Sequence, residues 1–241
     1  MDRIYNEVQH GEKIASNAVN IWGWGTPAGK IRADRRAAYF IRRGHITAGE
    51  KVLEIGCGTG EFTKRIAQTG ADITAVDISP DLLEVARSGI TNINVRFHIQ
   101  NVEKLDFEDE SFDVVIGSSI LHHLNLNPAL KEVYRVLKNG GMVVFTEPNM
   151  LNPQIWLERN ILIIRKLMNN SLDETAFVRW GLKKKLRNLG FKNVSIRPFD
   201  FLHPFTPSML IPFVSTIGNL VEKIPLAREV AGSLFIYASK E

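Results

Sequence analysis

The feature that most constrains the fold is an alternation of short apolar runs with helix-like segments between residues 51 and 147. The runs KVLEIG, DITAVD, FDVVIG and MVVFT have the length of buried strands, and Val95–Ile99 adds a more polar one. Segments with helical periodicity separate them. Such βαβ units build a parallel sheet covered by helices on both faces. The sequence therefore predicts a doubly wound α/β domain.

Local signals also predict where helices begin and end. Ser79 followed by Pro80 is typical of a helix start, and Asn139-Gly140-Gly141 is typical of a helix end. Two strands are expected after the regular block, Lys192–Phe199 and Ser233–Ala238. The predicted helices include Glu61–Thr69, Pro128–Lys138, Asn152–Met168 and Glu174–Leu189, the last capped by Asp173 and ended by Gly190.

The loop after the first strand, Glu54-Ile55-Gly56-Cys57-Gly58-Thr59-Gly60, indicates a ligand site. Its glycines allow a tight turn and a close approach of the backbone to a ligand, and the following helix offers unpaired N–H groups. A dinucleotide loop has the spacing GxGxxG, whereas this loop reads GxGxG after a glutamate. That carboxylate would repel a pyrophosphate and suits a cationic ligand such as an amino-acid ammonium.

Further candidate ligand contacts follow the next strands. Asp77 ends the second strand, where an acid accepts hydrogen bonds from ribose hydroxyls, and Ile78 can cover an adenine face. Asn101 and Val102 follow the third strand, where an amide and a backbone N–H can contact an adenine edge; Ser118 follows the fourth. Open α/β sheets bind ligands at this edge. We therefore expect these residues to share one site.

Four ordered motifs make the chain resemble a known family. VLEIGCGTG, AVDISPDLLEVA, NVEKLDFEDESFDVVIGSSILHHL and ALKEVYRVLKNGGMVVFTEP are similar to successive motifs of class I S-adenosylmethionine-dependent methyltransferases, especially the ubiquinone/menaquinone-biosynthesis group. The resemblance implies a Rossmann-like sheet of seven strands with the last antiparallel, and S-adenosyl-L-methionine as cofactor. It implies cofactor-binding roles for Glu54, Gly56, Gly58, Asp77, Asn101 and Ser118, to which we add the neighbouring Cys57, Gly60, Ile78 and Val102.

One departure from the family pattern affects the adenine-reading position. This position is often aspartate in the family and is Asn101 here. An amide oxygen also accepts a hydrogen bond from the exocyclic amine, so we expect weaker rather than lost binding.

Several methylation chemistries are disfavoured by the residues present. Cytosine-C5 methylation needs a cysteine nucleophile, but the only cysteine, Cys57, lies in the glycine loop. Residues 118–121 read SSIL where exocyclic-amine nucleic-acid methylases usually carry an Asn/Asp-Pro-Pro-aromatic motif. We predict a small-molecule O-, N- or C-methyltransferase with no nucleic-acid partner and no metal. A nicotinamide-dependent oxidoreductase and a non-catalytic binding protein are the alternatives.

Candidate catalytic residues follow the fourth and fifth strands: His122, His123 and Glu147. A base is needed only if the nucleophile must lose a proton, and histidine titrates in a suitable range. The alternative is that the histidine pair caps the turn and packs. His203 is expected to pack in a lid.

The N-terminal segment contains two tryptophans among glycines, Trp22 and Trp24. They either plug the open end of the sheet or form a lid over cofactor and acceptor. The basic helix Lys30–Arg43 follows, and its arginines could meet a carboxylate of the cofactor or of an anionic substrate. These arginines are Arg32, Arg35 and Arg36. We predict N-terminal lid helices over 1–44 and a methyltransferase domain over 45–241.

A C-terminal apolar cap insertion is predicted in two parts, at about 148–170 and 200–232. Its apolar side chains either line an acceptor pocket or form a plain core. They are Ile155, Trp156, Ile161, Ile163, Phe201, Phe205, Met209 and Phe213. We predict an acceptor with a lipophilic part; a polar, sugar-type metabolite is the alternative.

Charge is segregated along the chain, which has a net charge of +4. Residues 1–50 carry +3, residues 51–147 carry −5 and residues 148–241 carry +6. An acidic block suits a cationic cofactor, and the basic flanks indicate an anionic acceptor or peripheral contact with an acidic membrane surface. The basic run Lys183–Arg187 is the candidate for that contact. The sequence shows no signal peptide and no spanning segment, so we expect a cytoplasmic protein.

Overall fold

The computed structural model describes residues 3–161 and 176–241, and their centre is a mixed sheet of seven strands. The strands are β1 (Lys51–Ile55), β2 (Asp72–Asp77), β3 (Val95–Ile99), β4 (Phe112–Ser118), β5 (Leu137–Pro148), β6 (Lys192–Phe199) and β7 (Ser233–Ser239). Their order across the sheet is β3-β2-β1-β4-β5-β7-β6. Only β7 runs antiparallel to its neighbours among these strands. The predicted doubly wound architecture with an antiparallel last strand is confirmed.

The helices are α1 (Arg3–Ile14), α2 (Ala18–Ile21), α3 (Pro27–Gly44), α4 (Thr63–Ile66), α5 (Pro80–Gly89), α6 (Leu126–Val136), α7 (Pro153–Asn160), α8 (Arg179–Asn188) and α9 (Ile211–Val221). Local capping explains several of their starts. The side chain of Ser79 accepts a hydrogen bond from the backbone N–H of Leu82, and Thr26 and Asn152 cap α3 and α7 in the same way. Each cap satisfies a donor that the helix itself leaves unpaired. Within the described ranges, no helix is long and apolar enough to cross a membrane.

Both faces of the sheet are covered, which explains the continuous apolar strands. On one face, Leu53 and Val115 pack with side chains of α6 and α8 such as Leu130 and Leu186. On the other face, the alternating strand residues pack with α3, α4 and α5. That cluster includes Val52, Ile73, Val114 and Ile116 from the strands and Ala33, Phe40, Ile66 and Leu83 from the helices. Residues of the predicted lid segment therefore belong to the core of the sheet.

The helix predicted over Glu174–Leu189 is shorter and begins at Arg179. The backbone N–H of Phe177 donates to Pro148 O at 3.2 Å, and that of Met150 donates to Phe177 O at 3.0 Å. This long-range pairing extends the chain just before the helix, which helical periodicity alone could not indicate. The predicted cap Asp173 and the start at 174–175 lie outside the described residues.

The helix predicted over Pro128–Lys138 spans Leu126–Val136, and its predicted glycine end lies inside β5. Gly140 N donates to Lys240 O at 2.8 Å. Tertiary pairing thus holds the Asn-Gly-Gly sequence within the strand, with Gly140 in the left-handed region at a φ angle of 79°. The helix expected over Glu61–Thr69 is the shorter α4 followed by a 3₁₀ turn.

The first predicted cap element is described only in part. Helix α7 ends at Asn160, whereas Asn152–Met168 was expected, and residues 162–168 lie outside the described ranges. The division into a lid over 1–44, a domain over 45–241 and caps at about 148–170 and 200–232 stays a prediction.

Candidate active site

A cavity of about 490 Å³ opens at the carboxyl ends of the central strands. Ligand-binding clefts typically have volumes of about 300–1,000 Å³. The cavity brings together most of the predicted site residues: Gly56, Cys57, Gly58, Asp77, Ile78, Asn101, Val102, Ser118, His122 and His123. Three predicted residues, Glu54, Gly60 and Glu147, are not among its lining residues.

The glycine loop after β1 has three glycines in the left-handed region. The φ angles are 64° at Gly56, 51° at Gly58 and 78° at Gly60. A Cβ at Gly58 would lie 3.2 Å from the ring of Trp22, so the loop surface is closely approached there. A Cβ at Gly60 would lie 2.6 Å from the side chain of Ile90. Gly60 therefore lets the loop pack against the end of α5, and its predicted contact with the cofactor stays a prediction.

Asp77 connects the glycine loop to the start of α5. Its Oδ2 accepts from Gly58 N at 2.7 Å, and its Oδ1 accepts from Ser79 N at 3.0 Å. Burial raises the pKa of Asp77, although these backbone hydrogen bonds act in the opposite direction. Each carboxylate oxygen can accept a further hydrogen bond. Asp77 thus organises the loop and keeps capacity for ribose hydroxyls.

Glu54 lies beneath the loop rather than on the cavity wall. Its Oε2 accepts from the hydroxyl of Thr63 at 2.6 Å, and the residue is buried. Burial raises the pKa of Glu54 to about 8, and the nearby charge of Asp77 acts in the same direction. The structure provides no direct path from this carboxyl group to the cavity surface. Its predicted contact with an ammonium group stays a prediction.

Cys57 is a free, buried thiol in the same loop. Burial raises the pKa of this thiol well above its ordinary value, and the charges of Asp77 and Glu54 add to the effect. A protonated thiol is a poor nucleophile. Cys57 therefore serves as a small apolar part of the loop.

Asn101 shapes the turn after β3. Its Oδ1 accepts from Glu103 N at 3.0 Å, and its backbone carbonyl accepts from Lys104 N at 2.9 Å. Val102 is buried beside it, and Ile78 lies half-buried on the cavity wall. The bond to Glu103 uses one lone pair of the amide oxygen, and the second is available to a ligand.

A polar cluster that the sequence did not predict forms around Ser118 on the cavity wall. We call it the arginine–aspartate cluster; its members are Arg32, Arg36, Asp200, Ser118 and Ser233, which all line the cavity. Arg36 donates to Ser233 Oγ at 2.7 Å and to Ser118 Oγ at 3.2 Å. Asp200 Oδ2 accepts from Arg32 Nε at 2.8 Å and from Arg36 at 3.3 Å.

The charges of this cluster influence one another. Burial lowers the pKa of Arg36 to about 10, and the charge of Arg32 acts in the same direction. Burial would raise the pKa of Asp200, but the neighbouring guanidinium groups outweigh it and lower the pKa. The expectation that Arg32, Arg35 and Arg36 await a ligand carboxylate needs correction, because all three pair with acids of the chain. Arg35 donates to Glu222 Oε1 at 2.8 Å, outside the main cavity.

Glu147 is a buried carboxyl group that holds the turn after β4. Its Oε1 accepts from Ile120 N at 2.9 Å and from Leu121 N at 2.8 Å, and its Oε2 lies 2.7 Å from His122 Nδ1. Burial raises the pKa of Glu147 to about 7, although the backbone hydrogen bonds oppose this. Glu147 thus orients His122, which lines the cavity, and the capping and catalytic alternatives for this pair both stay open.

His123 is contacted by helix α1. Its Nδ1 lies 3.1 Å from Glu7 Oε2, and its ring lies 4.2 Å from the ring of His122. Burial would raise the pKa of Glu7, but its interactions with the nearby histidines, His123 above all, lower it. Arg3 donates to the backbone carbonyl of His123 and pairs with Glu103. Helix α1 therefore borders the cavity. It lies within the segment 1–44 for which lid helices were predicted, but none of its residues was named as a candidate.

The sequence contains a weak signal for this helix. Ile4, Glu7, Gly11 and Ile14 recur at helical spacing and therefore lie along one face. Gly11 and Ile14 are buried in the structure. A Cβ at Gly11 would lie 2.6 Å from Ser79 Cβ, so only glycine lets α1 approach the start of α5 this closely.

The expected acceptor-pocket residues divide into two groups. Ile155, Phe201 and Phe205 line the cavity, as do Trp22 and Trp24. Four others are exposed and outside the cavity lining, a correction to the prediction; they are Trp156, Ile161, Met209 and Phe213. Ile163 lies outside the described residues. His203 also lines the cavity, where its Nε2 lies 3.0 Å from Gln154 Nε2.

Comparison with known proteins identifies the family. A protein-family model described as a methyltransferase domain matches residues 53–145. The demethylmenaquinone methyltransferase of Staphylococcus aureus is 32% identical over 176 residues, covering 64% of this chain and 73% of that protein. The chain belongs to the class I S-adenosylmethionine-dependent methyltransferases.

Two further similarities define the extent of the match. The demethylmenaquinone methyltransferase of Tropheryma whipplei is 40% identical over 104 residues, and the match spans 42% of this chain but only 43% of that relative. A chain from the complex containing the Haloferax volcanii Trm112 methyltransferase activator superimposes with a TM-score of 0.70 at 19% identity, covering 95% of this methyltransferase and 96% of that chain. The latter similarity supports the fold alone. None of these similarities supports the nicotinamide alternative.

The residues of this methyltransferase fit its family's cofactor, S-adenosylmethionine. Gly56 and Gly58 have no side chain of their own to project from the loop, and Asp77 offers carboxylate lone pairs at the end of β2. Asn101 and Ile78 border the same end of the cavity. These residues would hold the nucleoside and the amino-acid part of the cofactor, and their individual roles stay predictions. Across residues 3–161 and 176–241, no group of three or more His, Cys, Asp or Glu side chains is arranged to hold a metal ion.

Proposed function

We propose that this methyltransferase transfers a methyl group from S-adenosylmethionine to a small-molecule acceptor with a lipophilic part. The supporting observation is one cavity that joins two kinds of lining. Loops after β1, β2 and β3 contribute glycines and polar groups, while Ile155, Phe201 and Phe205 contribute an apolar wall. An apolar pocket with a few converging polar groups is typical of a small-molecule site.

The cofactor supplies an electrophilic methyl group, and the chain's own residues position the acceptor and exclude water. In-line transfer gains most of its rate from alignment of the reacting atoms. Trp22 and Trp24 border the cavity and reduce its access to water. His122, fixed by Glu147, and His123, held by Glu7, are the groups placed to accept a proton from an acceptor that must lose one.

The relatives' names suggest the acceptor class. The Staphylococcus aureus relative is a demethylmenaquinone methyltransferase, and an isoprenoid-tailed aromatic ring agrees with the apolar wall. A panel assay with labelled S-adenosylmethionine tests this: short-chain reduced demethylmenaquinone and other lipid-tailed aromatics should be methylated. Methylation of polar sugars without any methylation of lipid-tailed acceptors would refute the lipophilic acceptor and favour the sugar alternative.

Cofactor use can be tested separately from turnover. Calorimetric titration should show binding of S-adenosylhomocysteine and no binding of nicotinamide dinucleotides. Binding of the nicotinamide nucleotides alone would contradict the proposal.

We also propose peripheral contact with an anionic membrane surface through α9. Phe213, Ile217 and Leu220 are all exposed and follow the i, i+4, i+7 spacing that places them on one face of the helix. The opposite face packs Ile211 against Leu202, which lines the cavity. This surface therefore connects an apolar exterior with the acceptor side of the site.

The charges around α9 suit a membrane rather than a second apolar protein surface. Helix α9 contains no charged residue, and the following Lys223 is exposed, whereas Glu222 is buried. Exposed apolar side chains with a cation beside them, here Lys223, suit a helix that lies in the interface of an anionic bilayer. The basic residues of α8 remain a second candidate for the same contact.

A further inference from the structure

Two buried polar atoms of the arginine–aspartate cluster have no hydrogen-bond partner within the described part of the chain. They are Asp200 Oδ1 and Arg36 Nε. Both residues are almost fully buried, with exposed fractions of 3%, and both line the cavity. A buried polar group without a partner is destabilising, because it has lost its hydrogen bonds to water and gained none in return. A polar group of a ligand that reached these two atoms would restore the missing hydrogen bonds.

The backbone holds Asp200 firmly in this position. Its N–H donates to Glu222 Oε1 at 2.8 Å, and its carbonyl accepts from Gly232 N at 2.9 Å. Its φ angle is 75°, in the left-handed region that few residues other than glycine adopt. Such a conformation persists where the surroundings enforce it, which often occurs at ligand sites. The carboxylate is thus preorganised rather than free to turn away.

The chemistry of the two atoms selects a hydroxyl group. Asp200 Oδ1 can only accept a hydrogen bond, because the guanidinium groups keep its carboxyl ionised, and Arg36 Nε can only donate one. A hydroxyl group both donates and accepts. An ammonium group would satisfy Asp200 alone and would meet the net positive charge of two arginines and one aspartate. A carboxylate would satisfy Arg36 alone.

The position of the cluster favours the acceptor over the cofactor. Asp77 ends β2, whereas Ser233 begins β7 and Asp200 follows β6. In the sheet order, β2 and β7 are separated by β1, β4 and β5. At a strand spacing of about 4.8 Å, this places Ser233 roughly 19 Å across the sheet from the predicted ribose contact. Ser118, the cluster member on β4, is two strands from β2 and forms the side of the cluster nearest the predicted cofactor contacts.

We propose that the arginine–aspartate cluster is the subsite for a hydroxyl group of the acceptor, of the phenol or enol class. The proposal rests on the proposed function, since it assumes that an acceptor enters this cavity. In this subsite, the hydroxyl group of the methyl acceptor donates a hydrogen bond to Asp200 Oδ1 and accepts one from Arg36 Nε. Asp200 is therefore a specificity-determining residue.

The test compares two probes that differ in one donor. 1-Naphthol donates and accepts at its oxygen, while 1-methoxynaphthalene only accepts. Calorimetry at saturating S-adenosylhomocysteine should show that the wild-type protein prefers 1-naphthol by about tenfold, the scale of one buried hydrogen bond. In Asp200→Asn, the amide oxygen keeps the arginine contacts and the NH₂ group takes the place of Oδ1. A hydrogen-bond donor thus replaces the hydrogen-bond acceptor Oδ1, so the preference for 1-naphthol should vanish or invert.

Glu132→Gln is the matched control. It makes the same change of charge in a carboxyl that also pairs with an arginine, Arg135, but Glu132 does not line the cavity and has no role in holding Asp200. This variant should keep the preference for 1-naphthol. Circular dichroism and melting curves establish that each variant is folded, and the wild-type preference stands as a test even if Asp200→Asn does not fold.

Three outcomes would overturn the proposal. They are equal affinity of the wild-type protein for both probes, no binding of 1-naphthol, and an unchanged preference in folded Asp200→Asn. If Asp200→Asn weakens S-adenosylhomocysteine binding while the probe preference persists, the carboxylate belongs to the cofactor's ammonium and the proposal also fails. Because these measurements need no turnover, they are independent of whether methyl transfer itself is detected.

Discussion

The pKa values of three buried carboxyl groups near the cavity differ because each group has different partners. Glu54 has a hydroxyl partner and a nearby acid, so burial dominates and its pKa rises to about 8. Glu147 accepts two backbone N–H bonds, which limit the rise to about 7. Asp200 lies between guanidinium groups that lower its pKa. Among these three groups, only Asp200 has partners that stabilise the ionised form enough to offset desolvation.

Glu54 should make stability decrease as pH rises. Its folded-state pKa of about 8 lies above the ordinary value of 4.5, so the folded state binds more protons between these values. The stabilisation is present below about pH 4.5 and is lost as pH approaches 8. Glu54→Gln, which mimics the neutral form, should reduce the loss of unfolding free energy between pH 5 and 8 by about 1–3 kcal/mol. Identical pH profiles in denaturant titrations would contradict this.

Asp77→Ala should weaken S-adenosylhomocysteine binding by about 1–3 kcal/mol, because it removes charge-assisted hydrogen bonds. It also removes the acceptor for Gly58 N and Ser79 N, so the loop loses order. Asp72→Ala, at the opposite end of the same strand, is the control and should bind normally. Unchanged calorimetric affinity of Asp77→Ala would exclude Asp77 from the site.

The sequence was sufficient to predict those site residues whose positions follow from the order of strands and loops along the chain. The glycine loop, Asp77, Asn101 and Ser118 directly follow strands, so the strand pattern places them at one edge. Asp200 and Glu7 depend on how distant elements pack. Asp200 meets arginines more than 160 positions away in sequence, and no local pattern encodes that contact.

At the scale of elements, α1 is held by close approach to α5. Gly11→Ala would force its Cβ against Ser79 and displace the helix. We expect faster amide exchange throughout α1 and weaker S-adenosylhomocysteine binding. Gly181→Ala is the control: a Cβ there meets nothing within 4 Å on α8, so this change should stabilise the protein by about 0.5–1 kcal/mol. If amide exchange in α1 of Gly11→Ala is unaltered, the close approach of α1 to α5 is not needed to hold the helix.

Helix α9 should bind vesicles through its exposed row. The double variant Phe213→Ser and Leu220→Ser removes two apolar side chains, and each fully inserted one contributes about 1.5–3 kcal/mol. Sedimentation with vesicles containing phosphatidylglycerol should therefore show at least tenfold weaker binding. Asn219→Ser, on the same helix, should bind as the wild type does. Equal binding of the double variant would disprove this contact.

Elements were predicted well where burial alone determines them. Strands β1, β2 and β4 are buried along most of their length, and their apolar runs coincide with their limits within about two residues. Helix ends were less predictable because tertiary pairing sets them. A backbone hydrogen bond to Pro148 pairs Phe177 with the end of β5, and Gly140 N donates to Lys240 O.

At the scale of the whole molecule, charge along the chain is a poor guide to charge at the site. The basic N-terminal zone contributes Arg32, Arg35 and Arg36, and all three are paired with Asp200 or Glu222 from the basic C-terminal zone. The cavity therefore meets a cluster in which two arginines and one aspartate leave one net positive charge. The anionic acceptor inferred from segment charge stays a prediction.

The strand order has a consequence for the sequence of events in folding. β6 precedes β7 along the chain, but β7 lies between β5 and β6 and supplies the hydrogen-bonded partner of both. β6 therefore has no partner among the described strands until β7 has been synthesised. Asp200 follows β6 and lies at that end of the sheet. The proposed acceptor side of the cavity thus depends on β7, whereas the loops after β1, β2 and β3 follow strands that pair without it.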